Sequence, residues 1–280
     1  VGPRLTDYIG LGVLNERIPL RAVRAALAST GRASQRQRDL PAHVVVYYVI
    51  AMALYMEVST REVLRCLLEA IQWLAGPLAQ VKVTGKSGIS QARTRLGWEP
   101  VRTLHDDVVR PIARPETRGA WYRGFRVVSV DGSTLDIADE RENAEAFGRP
   151  SASRGESAFP QLRFVSLVEN GTHVLFGSRM GGVRTGENTL AREVLPSLGE
   201  TMLCLADRGF FGFGLWRLAA GTGAQLLWRV KGNLCLDCIR PLPDGSFVSV
   251  IYPTPKDRRR RTNGIAVRVI EYRLLGGGAD

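Results

Sequence analysis

The sequence predicts a mixed α/β fold in which an all-α N-terminal region precedes a sheet flanked by helices. Two changes of pattern along the chain support this class. Up to about Arg114 apolar residues recur at helical spacing, whereas after Pro115 the chain consists of short apolar runs bounded by Gly, Asn or Asp. Three of these runs come first, and the later ones alternate with helical segments, which is typical of a mixed sheet covered by helices.

The helical region contains one apolar and one amphipathic segment. The run HVVVYYVIAMALYM is long enough for a buried helix. The next segment, TREVLRCLLEAIQWL, has apolar residues from Val63 to Ile71 at the spacing of one helix face, with Thr60 as the expected N-cap. Gly76 and Pro77 are expected to end this helix.

Two shorter helices, ISQARTRLG and EPVRTLHDDVVRPI, are predicted to meet at Gly97. This pair fits a helix-turn-helix in which Arg93, Arg95 and Arg102 face DNA. It fits equally a common connection between two helices of any helical domain.

After Pro115, five runs are predicted to be strands: RVVSVDGSTLDI, LRFVSLVEN, HVLFGSRM, TMLCLAD and AQLLWRV. The segments ENTLAREVLPSL and FGFGLWRLAAG, which precede and follow the fourth run, have helical patterns. From Leu234 the chain returns to strands, FVSVIY and IAVRVIEYRLL, separated by PKDRRRRTNG. This arginine run fits a solvated loop or a contact with nucleic-acid phosphate.

Composition narrows the classes of partner. Lys and Arg number 38 against 27 Asp and Glu, which gives a net charge of +11. Most of these cations are arginine, whose planar guanidinium suits phosphate, so a polyanion is the expected partner unless the excess reflects a generally arginine-rich proteome. Only Cys235 and Cys238 are spaced C-x-x-C, without a second pair or His cluster to complete a zinc site, and we expect four reduced structural thiols. The sequence has no membrane-spanning apolar run and no secretory leader, which predicts a cytoplasmic protein without membrane association.

Two aspartates share one sequence context. Asp131 follows VVSV and Asp207 follows MLCLA, so each stands where a buried strand emerges. The first and fourth strands of such a sheet can lie side by side, which would bring both carboxylates to the same edge. Adjacent carboxylates repel unless a cation lies between them, and oxygen ligands select Mg²⁺ or Mn²⁺. Sites of this kind perform in-line phosphoryl transfer with two ions about 4 Å apart.

Three other interpretations of these polar residues are a turn, a phosphatase site and a catalytic triad. A single Asp-Gly pair is most often a turn. The segment DGSTLD resembles phosphatases whose nucleophilic aspartate stands two positions before an Asp-Gly pair, but Ser129 occupies that position and excludes this class. The three histidines, His43, His105 and His173, are too scattered in the sequence to indicate a catalytic triad.

Three stretches carry a resemblance to a known family: VDGSTLDIADERENAEAFGRP, FPQLRFVSLVENGTHVLFG and LADRGFFGFGLWRLAAGTGAQLLWRVKGN. They resemble insertion-sequence transposases of the DDE class with a Y-R-E-K signature. The segments LTDYIGLGVLNERIPL and LPAHVVVYYVIAMALYMEVSTREVLRCL are similar to the N-terminal domain of that family. The resemblance implies an RNase H-like catalytic domain, Mg²⁺-dependent cleavage at transposon ends and strand transfer of the freed 3′-hydroxyl. It also implies that Asp131 and Asp207 are the first two catalytic acids and metal ligands.

The resemblance does not extend to the third catalytic acid of the family. In the family it is a glutamate in the pattern Y-x-x-R-x-x-x-E-x-x-x-x-x-x-K, beyond a strand-rich insertion, and no such spacing occurs in this sequence. Glu271 lies in a predicted strand and is not expected to replace it. We therefore expect a C-terminally truncated transposase with impaired or absent catalysis.

The predicted organisation has three parts. Residues 1–117 form a helical N-terminal domain with potential for DNA binding, residues 118–233 an incomplete RNase H-like core, and residues 234–280 part of a β-rich insertion. The expected partners are double-stranded DNA at transposon ends and target sites, with a homodimer allowed in the DNA complex, in a nucleoid-associated bacterial protein. Charge and proximity suggest further DNA contacts at Arg149, Arg208, Arg229 and Lys231. The alternative function is a DNA-binding module or inhibitor without catalysis.

Overall fold

The computed structural model describes residues 14, 16–36, 40–75, 85–152, 155–156 and 159–272. The chain divides into two compact units, residues 1–110 and residues 111–280, called here the N-terminal and C-terminal units. Among the described residues no helix is long and apolar enough to cross a membrane. Most of the segment LTDYIGLGVLNERIPL, the turn at Gly76 and Pro77 and the end of the chain lie outside the described residues.

The N-terminal unit is helical in its described part. Its helices are α1 (Leu20–Ser29), α2 (Ala42–Leu54), α3 (Thr60–Ala75), α4 (Lys86–Leu96) and α5 (Glu99–Val108). The apolar helix α2 lies in the core of this unit, where it packs against apolar residues of the other helices. Buried residues of the core include Val23, Tyr48, Leu64, Leu67 and Leu104.

The start of α3 corrects the expected cap by one residue. Ser59, rather than Thr60, accepts a hydrogen bond at its Oγ from the backbone N–H of Glu62 at 3.2 Å. This satisfies one of the N–H groups that have no partner in the first turn of a helix. Both neighbours carry a hydroxyl group, so their composition alone could not distinguish them.

The main sheet of the C-terminal unit is mixed. Its strands are β1 (Trp121–Tyr122), β2 (Phe125–Asp136), β5 (Gln161–Glu169), β6 (Leu175–Gly182), β7 (Met202–Ala206) and β8 (Gln225–Trp228). The order across the sheet is β6-β5-β2-β7-β8, and β1 pairs separately with β2. The pairs β1–β2, β2–β5 and β5–β6 are antiparallel, whereas β2–β7 and β7–β8 are parallel. The mixed α/β class predicted from the sequence is confirmed.

Helices connect and flank these strands. The predicted helix before β7 is α7 (Glu187–Val194), continued by one turn of 3₁₀ helix at Leu195–Ser197, and α8 (Phe213–Ala220) joins β7 to β8. The structure adds α6 (Arg141–Phe147) and the short pair β3 (Ser151–Ala152) and β4 (Gly155–Glu156), which the sequence pattern did not indicate. The parallel pairs require such crossovers, because their strands run in the same direction.

A separate three-stranded sheet follows. Its strands β9 (Arg240–Pro241), β10 (Phe247–Ile251) and β11 (Ile265–Val269) are antiparallel in the order β11-β10-β9. The helix α9 (Pro255–Arg260) lies between β10 and β11 in the chain. The strand predicted to extend from Ile265 beyond Glu271 ends at Val269, and Glu271 is exposed outside it.

Candidate active site

The parallel pairing of β2 with β7 brings two aspartates to one edge of the main sheet. The last residues paired in this ladder are Val130 on β2 and Ala206 on β7. Asp131 is the next residue on β2 and Asp207 directly follows the end of β7, so they occupy neighbouring positions at the same edge. The adjacency expected from the order of the strands is therefore present.

Burial changes sharply at this edge. Val128 and Val130 on β2, and Cys204 and Ala206 on β7, are buried, whereas Asp131 and Asp207 are exposed. The alternating apolar residues hold both strands in the core up to the positions where the carboxylates begin. Each carboxylate is thus attached to a backbone fixed by sheet hydrogen bonds while its oxygens reach solvent.

Asp131 lies in the middle of its strand, in agreement with the predicted strand RVVSVDGSTLDI, which spans both Asp131 and Gly132. β2 continues to Asp136 and keeps its pairing with β5, where Gly132 is opposite Val165. The Asp131–Gly132 pair is therefore extended, and the interpretation of this dipeptide as a turn is wrong. The strand loses its β7 neighbour after Val130 without losing β5, which exposes one side of the backbone beside Asp131.

Each of the two carboxylates accepts one hydrogen bond, at Oδ1, from the backbone N–H of the next residue. The N–H of Gly132 donates to Asp131 Oδ1 at 2.8 Å, and the N–H of Arg208 donates to Asp207 Oδ1 at 2.5 Å. No side chain in the described residues donates a hydrogen bond to either group. Arg229 Nη1 lies 4.0 Å from Asp207 Oδ1 in an ion pair whose two side chains are more than half exposed, so the attraction is weak.

A third acidic side chain, Glu187 at the start of α7, lies against Gly132. A Cβ placed on Gly132 would be 3.2 Å from both Cδ and Oε1 of Glu187, so the absence of a side chain at Gly132 leaves room for this carboxyl group. Glu187 precedes Asp207 in the chain, whereas the third acid of the family that the sequence resembles follows the second one. No sequence signal links it to Gly132, because the contact is made only when α7 packs beside the sheet.

The chemistry of the site suits a hard divalent cation, although the number of protein ligands is low. Carboxylate oxygens on two adjacent strands are the donors that Mg²⁺ and Mn²⁺ prefer. Among the residues that the structure describes, no three His, Cys, Asp or Glu side chains form a group able to hold a metal. Asp131 and Asp207 are therefore two candidate ligands rather than a complete set.

The cations predicted to contact DNA occur in several places. Arg208, Arg229 and Lys231 are exposed and follow β7 or β8 at the edge that carries the aspartates. Arg149 instead forms an ion pair with Asp139 near α6. These roles stay predictions.

In the N-terminal unit, Arg93 and Arg95 on α4 and Arg102 on α5 are exposed, and the guanidinium of Arg102 lies 5.7 Å from the centroid of the Trp98 ring. Gly97 joins these two helices with φ of 69°. This left-handed conformation strains residues that have a side chain, which explains glycine at the joint. The predicted pair of helices is present, and its contact with DNA stays a prediction.

The cysteines lie in two kinds of environment and form no disulfide. Cys66, Cys235 and Cys238 are exposed, whereas Cys204 is buried in β7. Burial raises the pKa of the Cys204 thiol to about 11. A neutral thiol at this position behaves as a small apolar side chain beneath the aspartates.

Comparison with known proteins identifies relatives for most of the chain. Residues 8–106 match the family described as Insertion element 4 transposase N-terminal. The chain is 24% identical over 252 residues to "Transposase InsG for insertion sequence element IS4" of Escherichia coli (strain K12), an alignment that covers 88% of this chain and 55% of that protein. It is 23% identical over 214 residues to "Putative transposase InsZ" of the same organism, covering 76% of this chain and 69% of that protein.

The chain therefore spans about half the length of the first of these relatives. Among solved structures, a piggyBac transposase synaptic complex with hairpin DNA is 13% identical and has a TM-score of 0.34, over 86% of this chain and 56% of that one. A similarity at this level carries no argument about the site.

Proposed function

Because this chain is similar to insertion-sequence transposases, we propose that it acts in DNA cleavage and strand transfer at insertion-sequence ends. Asp131 and Asp207 are the first two acids of a DDE site in this proposal. The observation that carries it is the parallel pairing of β2 with β7, which gives the two aspartates neighbouring positions at one edge. The substrates are double-stranded DNA at the transposon ends and at the target, which would place the protein at the bacterial nucleoid.

The arrangement of the sheet supports an RNase H-like assignment for this core. Numbered by their order in the chain without the short strands, the five long strands lie in the order 3-2-1-4-5, with the first three antiparallel and the last two parallel. The aspartates belong to the first and fourth of these strands, at the centre of the sheet. Central strands are fixed on both sides, which makes them rigid supports for metal ligands.

Mg²⁺ or Mn²⁺ would be held by the carboxylates of Asp131 and Asp207. Such ions, when bound, activate a water or a 3′-hydroxyl group and stabilise the leaving oxygen in phosphoryl transfer. The chain itself contributes the placement of the ligands, since the sheet fixes both backbones before any cation binds. Arg208, Arg229 and Lys231 provide positive charge near that edge for the approach of DNA phosphates.

With only Asp131 and Asp207 as candidate ligands, we propose that the 280-residue polypeptide alone has limited catalytic activity. No Y-x-x-R-x-x-x-E pattern followed by Lys occurs within it, and no complete metal-binding group is present in the described residues. Two protein ligands hold a cation less firmly than three. The second candidate, a DNA-binding module or inhibitor without catalysis, is favoured by this incomplete ligand set. In either case a homodimer in the DNA complex is compatible with the proposal.

Metal binding tests the proposed site directly. Mn²⁺ affinity is measured by isothermal titration calorimetry for the wild-type chain and for Asp131→Asn and Asp207→Asn. Removal of a residue that only hydrogen-bonds to a metal ligand weakens metal affinity about 10- to 100-fold. Removal of a ligand itself should therefore weaken Mn²⁺ affinity at least about tenfold in each variant. Asp136→Asn, on the same strand β2, is the matched control, and its affinity should equal that of the wild type.

A cleavage assay on duplex DNA carrying the terminal repeats of the element separates the two functions. Metal binding at the aspartates with slow Mg²⁺-dependent cutting supports the proposal. DNA binding without any Mn²⁺ binding sensitive to Asp131 and Asp207 would identify the non-catalytic module instead. Rapid turnover that Asp131→Ala abolishes would contradict the inference that the ligand set of this polypeptide limits catalysis.

A further inference from the structure

Four consecutive arginines, Arg258 to Arg261, lie at the end of α9 and form what is called here the arginine turn. We propose that the arginine turn binds the phosphate backbone of duplex DNA, at a surface distinct from the aspartates of β2 and β7. The inference rests on the proposed function for its choice of DNA as the polyanion. Three features of the turn favour phosphate: its fixed backbone, its unpaired charge and the forked hydrogen-bonding geometry of its guanidinium groups.

The backbone of the arginine turn is fixed by hydrogen bonds on both sides. Thr254 caps α9 by accepting from the N–H of Asp257 at 3.1 Å. The Asp257 carboxylate then accepts from Asn263 Nδ2 at 2.9 Å and from Thr262 Oγ1 at 3.3 Å. The backbone N–H of Thr262 also donates to the carbonyl of Asp257 at 3.1 Å. A six-residue helix and the turn after it are thus closed around one aspartate.

This closure holds Arg261 in a left-handed conformation. Its φ of 53° and ψ of 39° are unusual for a residue with a side chain. Glycine or asparagine would adopt this conformation with less strain. The strain is tolerated because Asp257 fixes the residues before and after it. The backbone at this position therefore has one fixed conformation, beyond the last helical turn.

One of the four arginines, Arg258, stabilises the turn through an ion pair. Arg258 Nη2 donates to both carboxylate oxygens of Asp237, at 2.9 and 2.8 Å, and this interaction raises the pKa of the Arg258 guanidinium. The pair joins α9 to the segment that leads into β9. Arg258 is consequently paired with Asp237, and we assign DNA contact to the remaining three arginines.

Arg259, Arg260 and Arg261 are exposed and form no ion pair with any residue that the structure describes. Asp237 is paired with Arg258, whereas Asp257 is hydrogen-bonded to uncharged groups of the turn and keeps its negative charge. The three guanidinium charges outnumber that one carboxylate. Basic residues in the last turn of a helix stabilise its C-terminal end, but Arg261 lies beyond the helix, where that effect fades.

Phosphate in duplex DNA is the partner that this arrangement fits. A guanidinium group donates two parallel hydrogen bonds to phosphate, and duplex DNA carries one negative charge per about 1.7 Å of its axis. Three exposed arginines at neighbouring positions place three positive charges close together, and a polyanion of this charge density attracts such a cluster. Sequence specificity is not expected, because phosphate contacts carry no base information.

The test compares two triple variants that remove the same charge. The site variant is Arg259→Gln, Arg260→Gln and Arg261→Asn. The matched control is Arg118→Gln, Arg217→Gln and Arg123→Asn, which also replaces three exposed arginines, one of them left-handed with φ of 49°. Binding of the full chain to a 30-base-pair duplex is measured by fluorescence anisotropy over a range of salt concentrations.

The site variant should reduce the slope of log K against log salt by about 2.7, because each lost phosphate contact contributes about 0.9. The control should change the slope by less than half as much. A further variant, Arg259→Lys, Arg260→Lys and Arg261→Lys, should restore most of the slope, since it retains the charges. Circular dichroism melting verifies that each protein is folded.

Three results decide the question. A slope reduced in the site variant and kept in the control supports the surface. Equal slopes for site variant and control, in a wild-type chain that binds DNA, overturn the surface and leave the proposed function standing. A wild-type chain that does not bind duplex DNA at low salt overturns the proposed function as well.

Discussion

At the scale of single residues, Cys204 shows how the core beneath the candidate site is built. The side chain lies on β7, two residues before Ala206, and none of its surface is exposed. Burial in apolar surroundings disfavours the thiolate and raises its pKa to about 11. Cys204 is thus a packing residue whose chemistry is suppressed by its position, although it lies close in the chain to Asp207.

We predict that Cys204 resists alkylation in the native protein. At pH 8 the thiolate fraction of a group with this pKa is about one in a thousand, and the side chain is inaccessible in addition. Treatment with iodoacetamide at pH 8 should modify Cys66, Cys235 and Cys238, which are exposed, and mass spectrometry should find Cys204 unmodified until denaturant is added. In the Cys204→Ala variant the native and denatured chains should take up the same number of labels. Labelling of native Cys204 as fast as Cys235 would contradict the prediction.

Gly132 illustrates a residue whose role depends on a distant neighbour. Its backbone continues β2, so no turn requires glycine there, and the absence of a side chain instead accommodates the carboxyl group of Glu187. The pair Asp131–Gly132 therefore combines an exposed carboxylate with space beside it. From sequence alone the same two letters indicate a turn.

At the scale of elements, the strand β5 anchors the start of the C-terminal unit to the main sheet. Glu169, the last residue of β5, is completely buried. Its Oε2 accepts from the backbone N–H groups of Ile112 at 3.0 Å and Ala113 at 2.9 Å, and its Oε1 accepts from Arg126. The guanidinium of Arg126 also lies 4.5 Å from the centroid of the Trp121 ring. One carboxylate therefore joins β5, β2 and the segment before β1.

We predict that Glu169→Gln lowers the free energy of unfolding by about 3 kcal/mol. The amide group cannot neutralise Arg126, and its NH₂ donor would face backbone N–H groups that need an acceptor. Urea denaturation followed by circular dichroism measures the effect. The matched control is Glu145→Gln, which breaks an exposed ion pair with Arg141 on α6 and should leave the midpoint almost unchanged. Equal midpoints for both variants would show that the buried pair contributes little.

The sequence pattern predicted the elements that bury an apolar stripe and missed those that do not. The strands β2, β5, β6, β7 and β8 alternate or carry apolar runs, and α7 and α8 have apolar residues at helical spacing. The helix α6 consists of RENAEAF, has no buried residue and therefore has no stripe to detect. Two-residue strands such as β9 are too short for any periodicity.

The candidate site was predictable only where it follows from strand order. The adjacency of Asp131 and Asp207 could be inferred, because each aspartate follows a buried apolar run and the two runs pair in parallel. The contact of Glu187 with Gly132 and the anchoring role of Glu169 could not be inferred. Both depend on packing between residues far apart in the sequence, and a single chain gives no signal for such pairs.

At the scale of the whole molecule, the net charge of +11 favours long-range attraction of the proposed partner, DNA. The exposed aspartates of the candidate site oppose this attraction locally, because phosphates that approach them meet negative charge of the same sign. A divalent cation at Asp131 and Asp207 would reverse that local effect. The balance between attraction and local repulsion can be measured without any cleavage.

We predict that neutralising the site strengthens DNA binding when divalent cations are absent. Two unit charges 4 Å apart interact by about 1 kcal/mol in bulk water, so removal of one repulsion corresponds to an affinity gain of about fivefold. In EDTA, Asp131→Asn and Asp207→Asn should each bind a 30-base-pair duplex more tightly than the wild type, as measured by fluorescence anisotropy. Asp136→Asn, which removes the same charge five residues further along β2, should gain less.

The addition of Mn²⁺ completes this prediction. It should strengthen DNA binding by the wild-type chain and by Asp136→Asn, because a cation between the carboxylates attracts phosphate. It should have a smaller effect on Asp131→Asn and Asp207→Asn, which have lost a ligand. The wild type and the two site variants should therefore approach one another in affinity as Mn²⁺ increases. Identical responses of all four proteins would mean that DNA phosphates do not approach this edge of the sheet.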